Sequence, residues 1–272
     1  MFKRKENFVI ALVALDCELL RISVGALARL GTKFTLIIYN SNPAITLERA
    51  DVRKMGYRGR VHIINGATGP DMFGAIGAVV TATHTVARHA RWIVFIRDCD
   101  LLLDMAAPNV SRDNFAVIQN MVTIRHRVSD MLRVMRCPTD YNIDDENVTL
   151  TRPHIGFFGS LVRIDTITGL CNVLGTISDK ICALDQDLEY WPPYDAILWT
   201  LLNTFARAVN PDAVPIYMDR VGHISIMLDT ANTKCGRSAV PARAQDEHYA
   251  RATARFDAAL RAALAAPTGQ DI

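Results

Sequence analysis

Blocks of apolar and polar positions alternate through the first hundred residues. Phe8-Val9-Ile10-Ala11-Leu12-Val13-Ala14-Leu15 is an unbroken apolar run, the pattern of a strand covered on both faces. Leu20, Val24, Leu27 and Leu30 follow at helical spacing, and Gly31 stands where that helix would stop. Residues 34–39 form a second apolar block, closed by the turn-forming Asn40-Ser41-Asn42-Pro43. Residues 46–55 predict a short helix ending at Gly56, and residues 61–64 a third strand. The loop Asn65-Gly66-Ala67-Thr68-Gly69-Pro70-Asp71 leads to a longer helix with Met72, Ile76, Val79, Val80, Thr83 and Val86 on its apolar stripe. Trp92-Ile93-Val94-Phe95-Ile96 is a fourth strand, and it runs toward Asp98-Cys99-Asp100.

This alternation predicts an α/β fold with a mostly parallel sheet and helices on both faces. Ligands in such sheets bind beyond the carboxyl ends of the strands, where Asp16, Asn40, Asn65 and Asp98 fall. Past residue 104 the pattern is less regular. Ile118, Met121, Val122, Val128, Met131, Leu132 and Met135 predict one helix face, residues 139–147 an exposed acidic loop, and residues 155–164 a strand. Residues 195–209 predict a helix after Trp191-Pro192-Pro193-Tyr194, residues 214–218 a strand, and the Ala- and Arg-rich residues 240–266 a terminal helix. The organisation expected is a nucleotide-binding half over residues 1–104, an acceptor-binding and catalytic half over 105–239, and a helical tail over 240–272.

The 272 residues carry a formal net charge of +2. So mild a bias does not point to a dedicated nucleic-acid binder. No apolar stretch approaches the ~20 residues of a membrane span, so a cytoplasmic protein is expected, with peripheral contact with a membrane left open. Six cysteines, none in a Cys-x-x-Cys pair, read as reduced and mostly buried thiols.

The strongest chemical signal is Asp98-Cys99-Asp100 at the end of an apolar strand. Two carboxylates one residue apart can face one hard cation, and a Mn²⁺ or Mg²⁺ ion held there bridges to phosphate oxygens and offsets their charge. With the preceding strands, the segment resembles the nucleotide-sugar-binding half of the family 2-like GT-A glycosyltransferases. The resemblance covers residues 8–104, through residues 8–15, 34–42, Asn65-Gly66 through Gly77, and Trp92 to Asp100.

It implies a Rossmann-like GT-A sheet and a nucleoside-diphosphate sugar as donor. It assigns base and ribose contacts to Leu15, Asp16 and Asn40, donor contacts to Asn65 and Gly66, ribose and metal contacts to Asp98, and metal contact to Asp100. The Gln-x-x-Arg-Trp motif of the processive enzymes is absent, which speaks against a polymer synthase. In the second half, Gly156-Phe157-Phe158-Gly159-Ser160 resembles a strand lying beside the donor sugar, with Gly159 nearest it. Asp195 resembles the family's acidic base, with Asp187 and Glu189 as alternatives, and the expected outcome is inversion. His223, past the strand 214–218, resembles a third metal ligand.

His84, His89 and His126 are read as structural. Arg125, Arg127, Arg133 and Arg136 read as a solvated basic face or a contact for an anionic acceptor, and Arg237 as a reach to the diphosphate. The acceptor stays open among glycan, lipid-linked sugar, protein and nucleic acid. The rival readings are a nucleotidyltransferase, a haloacid-dehalogenase-like phosphatase using the Asp-x-Asp pair, and a nucleotide-binding module without turnover. The acidic, glycine-free Asp16-Cys17-Glu18-Leu19 argues against the first, and Leu101-Leu102 after the pair argues against the second.

Overall fold

Strand β1 (Phe8–Ala14) is apolar at every position, and all seven residues are buried. It lies between β2 (Thr35–Asn40) and β4 (Trp92–Arg97), parallel to both, and β3 (Arg60–Asn65) adds to β2 in the same sense. A strand flanked on both edges and covered on both faces has no use for polar side chains, which is why its sequence does not alternate.

The computed structural model describes residues 8–14, 17–30, 34–66, 72–98, 100–102, 111–126, 148–149, 156–186, 194–228 and 242–266. Its further strands are β5 (Asp100–Leu102), β6 (Asn114–His126), β7 (Val148–Thr149), β8 (Leu161–Arg163) and β9 (Val214–Leu228). All nine join one sheet in the order β3-β2-β1-β4-β8-β6-β9-β5, with β7 paired to β6. The long β6–β9 pairing is parallel, and the short β8 is antiparallel to both β4 and β6. The sheet is thus mixed, mostly parallel, and continuous across the two halves of the chain.

Period-two alternation sorts the β1 side chains between two cores. Phe8, Ile10, Leu12 and Ala14 face helix α1 (Cys17–Leu30) through Leu20, Val24 and Leu27, and α2 (Arg49–Lys54) through Val52. Val9, Ala11 and Val13 face the other layer. That layer holds α3 (Met72–Val86), α4 (Ile164–Thr176), α5 (Ser178–Gln186), α6 (Tyr194–Val209) and α7 (Ala242–Ala265). The expected fold class, an α/β sheet flanked by helices on both faces, is the one observed.

Three expectations fail. Residues 114–126, read from residue 118 onward as a helix face, form strand β6. Phe115, Val117, Ile118, Val122, Thr123 and Ile124 suit a strand, and twelve register pairs with β9 outweigh a loose helical spacing. The strand read over 155–164 reduces to β8, preceded by a turn at Phe157–Ser160 and followed at once by α4. The late strand does not end at Met218. Gln119 pairs with Met218 and Asn120 with Val221, so Asp219 and Arg220 are extra residues in a bulge and β9 continues to Leu228.

Among the cysteines whose side chains are described, Cys171 is half-buried and Cys182 exposed. Burial pushes the Cys171 thiol up to about 12. Among the described residues, no single helix is long and apolar enough to cross a membrane; α4 and α5 reach that length only together, and they are bent 84° apart. Leu15, Asp16, Cys99, Arg127, Arg133, Arg136, Asp187, Glu189, Arg237 and the 139–147 loop lie outside the described residues.

Candidate active site

Because β1 to β4 are parallel, their carboxyl ends share one edge of the sheet. Register aligns Arg97 with Val13, Ala14 with Asn40, and Asn40 with Asn65. Three inter-strand spacings, about 15 Å, separate β4 from β3 along this edge.

On the β2–β3 side, the two asparagine amides bind the loop that follows β2. Asn40 Nδ2 donates to Asn65 Oδ1 at 3.0 Å and to the Ile45 carbonyl at 2.6 Å, while Asn40 Oδ1 accepts from the Asn42 N–H at 3.1 Å. Asn65 Oδ1 also accepts from the Leu47 N–H at 3.0 Å, and its Nδ2 donates to the Leu47 carbonyl at 3.2 Å. Ser41 donates to the Ala14 carbonyl through its N–H at 2.9 Å and its hydroxyl at 2.7 Å. Asn40 and Asn65 therefore build the wall of the edge by shaping residues 41–47. The Gly66 N–H donates to the Asn40 carbonyl at 2.8 Å. A side chain at Gly66 would run into the Tyr39 phenol, so a glycine is needed for this close approach.

On the β4 side stand the two acids. Asp98 and Asp100 are 4% and 0% exposed, so the pair is buried. The Asp100 carboxylate is grasped by Arg97. Oδ2 accepts from the Arg97 backbone N–H at 2.8 Å and from Nε at 3.0 Å, and Oδ1 accepts from Nη2 at 3.1 Å. This fork-on-fork geometry is the strong form of an arginine–carboxylate bond. The Arg97 side chain is 31% exposed and lies over the Phe158 ring, 5.1 Å from its centroid. Beneath, the buried Ser23 hydroxyl on α1 donates to the backbone carbonyls of Asp98 and Asp100, the latter at 2.9 Å, and fixes the bend between β4 and β5.

Phe158 belongs to the turn before β8. Its neighbour Gly159 has φ +79°, the left-handed region that favours glycine, and the Gly159 N–H donates to the Phe95 carbonyl at 2.8 Å. Phe157 stacks on Phe95 with centroids 5.0 Å apart. Asp195, in the first turn of α6, accepts the Phe158 N–H on Oδ1 at 2.8 Å. The turn therefore joins Asp195 in the second half of the chain to Arg97 and Asp100 in the first.

His223 lies inside β9. Its backbone pairs with Leu102 while Ser225 pairs with Asp100, so it sits two residues along the strand from the partner of the acid. Among the described residues, no three His, Cys, Asp or Glu side chains converge as a group that could hold a metal ion. Asp100 is thus committed to Arg97 in this arrangement. His84 bonds Thr168 Oγ1 at 2.8 Å on the α3–α4 contact, away from this edge.

Arg97 and Ser23 were not singled out in the sequence, and Phe158 only within the segment 156–160. A signal existed for Arg97: a cation closing an otherwise apolar strand, three residues before an acid.

No family model and no curated protein matches the sequence. Among solved structures, the chain is similar to GalNAc-T7, crystallised with UDP, GalNAc and Mn²⁺, at 10% identity and TM-score 0.48, over 91% of this chain and 48% of that one. It is similar to the glycosyltransferase GlyE of Streptococcus pneumoniae in its apo form at 8% identity and TM-score 0.36, over 93% and 63% of the two chains. It is also similar to a glycosyltransferase involved in glycosylation of the major capsid of PBCV-1, at 8% identity and TM-score 0.33, over 94% and 98%. The chain thus spans about half the length of the first of these proteins and under two thirds of the second.

Proposed function

We propose that this chain is a glycosyltransferase of the GT-A type, binding a nucleoside-diphosphate sugar across the carboxyl ends of β1 to β4 and transferring the sugar to an acceptor hydroxyl. The observation that carries this reading is the contact path Asp195–Phe158–Arg97–Asp100. It brings a carboxylate from the second half of the chain to the end of the strand that bears the acid pair. The resemblance of residues 8–104 to the nucleotide-sugar-binding half of that family supports the same assignment.

In this reading the donor lies along the edge walled by Asn40, Asn65 and Gly66. Leu15 and Asp16, next along the chain from β1, are its proposed base and ribose contacts, and Asp98 completes the ribose site. Gly159 leaves room for the sugar above the turn. Asp195 accepts the proton of the acceptor hydroxyl as that oxygen bonds to the anomeric carbon and the nucleoside diphosphate departs from the opposite face, which inverts the configuration. The Phe158 N–H orients the carboxylate for this role. Negative charge grows on the departing phosphate, and Arg97 is the cation placed at that end of β4.

A Mn²⁺ or Mg²⁺ ion, the cofactor the resemblance implies, would supply further positive charge there. Its proposed holders are Asp98, Asp100 and His223. Asp100 is held by Arg97, so no step is drawn through the ion.

The test is sugar transfer, or slow donor hydrolysis, with a panel of nucleotide sugars. Asp195→Asn keeps an oxygen for the Phe158 N–H and should fold normally, while transfer falls by about 10²–10⁴-fold with donor affinity little changed. Undiminished transfer in that variant, with loss in Asp187→Asn or Glu189→Gln instead, would move the base to the preceding segment. A chelator separates the two sources of charge. Turnover lost and then restored by Mn²⁺ assigns it to an ion at the acid pair; turnover retained assigns it to Arg97.

A further inference from the structure

At the opposite end of β3 from Asn65, a cavity of about 340 Å³ opens between α2, the start of β3 and the end of α3. Its walls carry Arg49, Arg53, Arg60 and His62, with Gly59 and Val86 among its remaining lining. Two elements each contribute a pair. Arg49 and Arg53 are one helical turn apart on α2 and share a face. Arg60 and His62 are two residues apart on β3 and also share a face. The two faces meet at the cavity.

These cations are not consumed by the fold. Among the described residues, the side chains of Arg49, Arg53 and His62 make no hydrogen bond or ion pair, and Arg60 makes one long contact, 3.5 Å to the Val86 carbonyl. The acid of α2, Asp51, is taken by Lys54 at 3.3 Å and by the Glu48 N–H at 3.1 Å. Residues 49–62 hold five Lys and Arg against the single acid Asp51, in a chain whose formal net charge is +2. The positive charge is therefore concentrated here.

The turn before β3 is rigid. Gly56 has φ +100°, a side chain at Gly59 would strike the Tyr57 phenol, and the buried Tyr57 hydroxyl donates to the Phe34 carbonyl at 3.1 Å. The position of Arg60 is thus set by packed groups.

We propose that this cavity binds the phosphate or diphosphate group of a small molecule or a lipid headgroup. Guanidinium forks lining a concave site match phosphate oxygens, and the volume lies at the lower end of small-molecule sites. The site is not the donor edge: Arg60 and Asn65 stand at opposite ends of β3, about 17 Å of strand apart. An extended polyanion would call for a stripe of cations, and here they line a single cavity.

Two probes distinguish the sources. Inorganic pyrophosphate is titrated calorimetrically into the full chain, and the chain is co-sedimented with phosphatidylcholine vesicles with and without phosphatidic acid. Each is repeated with Arg49→Gln/Arg53→Gln and with Arg60→Gln. Loss of two charge-assisted bonds should weaken binding on the order of 10- to 100-fold, and salt should weaken it further. Pyrophosphate binding lost in the variants supports a soluble phosphate ligand, and vesicle binding lost in them supports a headgroup. Pyrophosphate held at the donor edge would persist in both variants, so the fraction lost is the readout. Binding unchanged by the substitutions, no binding of either probe, or binding only to oligonucleotides in proportion to their length would overturn the proposal.

Discussion

At its carboxyl end β3 carries Asn65, every polar atom of whose amide is bonded to Asn40 or to the Leu47 backbone. At its amino end the same strand carries Arg60 and His62, facing a cavity beside two arginines that bond no other described side chain. Both ends look alike in sequence, as polar residues flanking an apolar strand. They differ in what satisfies them. At the carboxyl end polar groups hold one another and give the edge a fixed shape. At the amino end cations are left to water or to a ligand. A polar residue at a strand end is therefore available for binding only when the fold has not already used it.

Asp100 should break this contrast most sharply. Asp100→Ala strips a buried carboxylate from Arg97 and leaves the guanidinium facing a void, a change that costs about 3–5 kcal/mol. A carboxylate facing water would tolerate the same change. Urea unfolding measures the loss, and the double variant Arg97→Met/Asp100→Ala should recover part of it. Equal unfolding midpoints for Asp100→Ala and the parent chain would mean that the ion pair does not hold this edge together.

Asn65→Ala comes next. It removes three hydrogen bonds and strands the Leu47 N–H, for a cost of about 2 kcal/mol, and amide exchange should quicken over residues 41–47. Tyr57→Phe, which loses one bond beneath the amino-end turn, should cost about 1 kcal/mol. It carries a pH signature as well. Burial raises the Tyr57 phenol from 10.0 to about 12. The stability this contributes is complete below pH 10 and is lost as pH rises toward 12, because the unfolded chain gives up the proton first. That alkaline decline should be smaller in Tyr57→Phe. At the bottom of the scale, Arg53→Ala should change stability by no more than about 0.5 kcal/mol. A larger loss would show that the amino-end cations are structural after all.

Much of the first half was legible because its strands are buried on both faces and separated by helices with clear apolar stripes. β1, β2, β3, β4, α1 and α3 follow directly from residue pattern. The second half is written in long-range terms. Strand β6 owes its form to β9, a hundred residues away, and no local window contains that partner. The bulge at Asp219 and Arg220 looked like the end of a strand because a bulge and a turn use the same residues. In the candidate site, Asp98 and Asp100 lie at the end of β4 where their strand places them, and Gly159 and Asp195 reach it through contacts that the strand order read from sequence does not contain. Arg97 escaped because a lone arginine after an apolar run ordinarily points to water, and only the bend made by Ser23 brings it onto Asp100.

The pairing of β5 with β9 has a consequence for how the molecule comes into being. Asp100 starts a three-residue strand whose hydrogen-bonded neighbour spans His223 to Ser225. A chain emerging from the ribosome could assemble β1 to β4 early, from comparatively local contacts. The segment bearing Asp100 would then wait, unpaired along its outer edge, until β9 had been synthesised and laid down. The end of β4 is therefore among the last places to acquire its final shape. A fragment that stops short of Val214 would have the parallel strands β1 to β4 without the strand that pairs with the segment bearing Asp100.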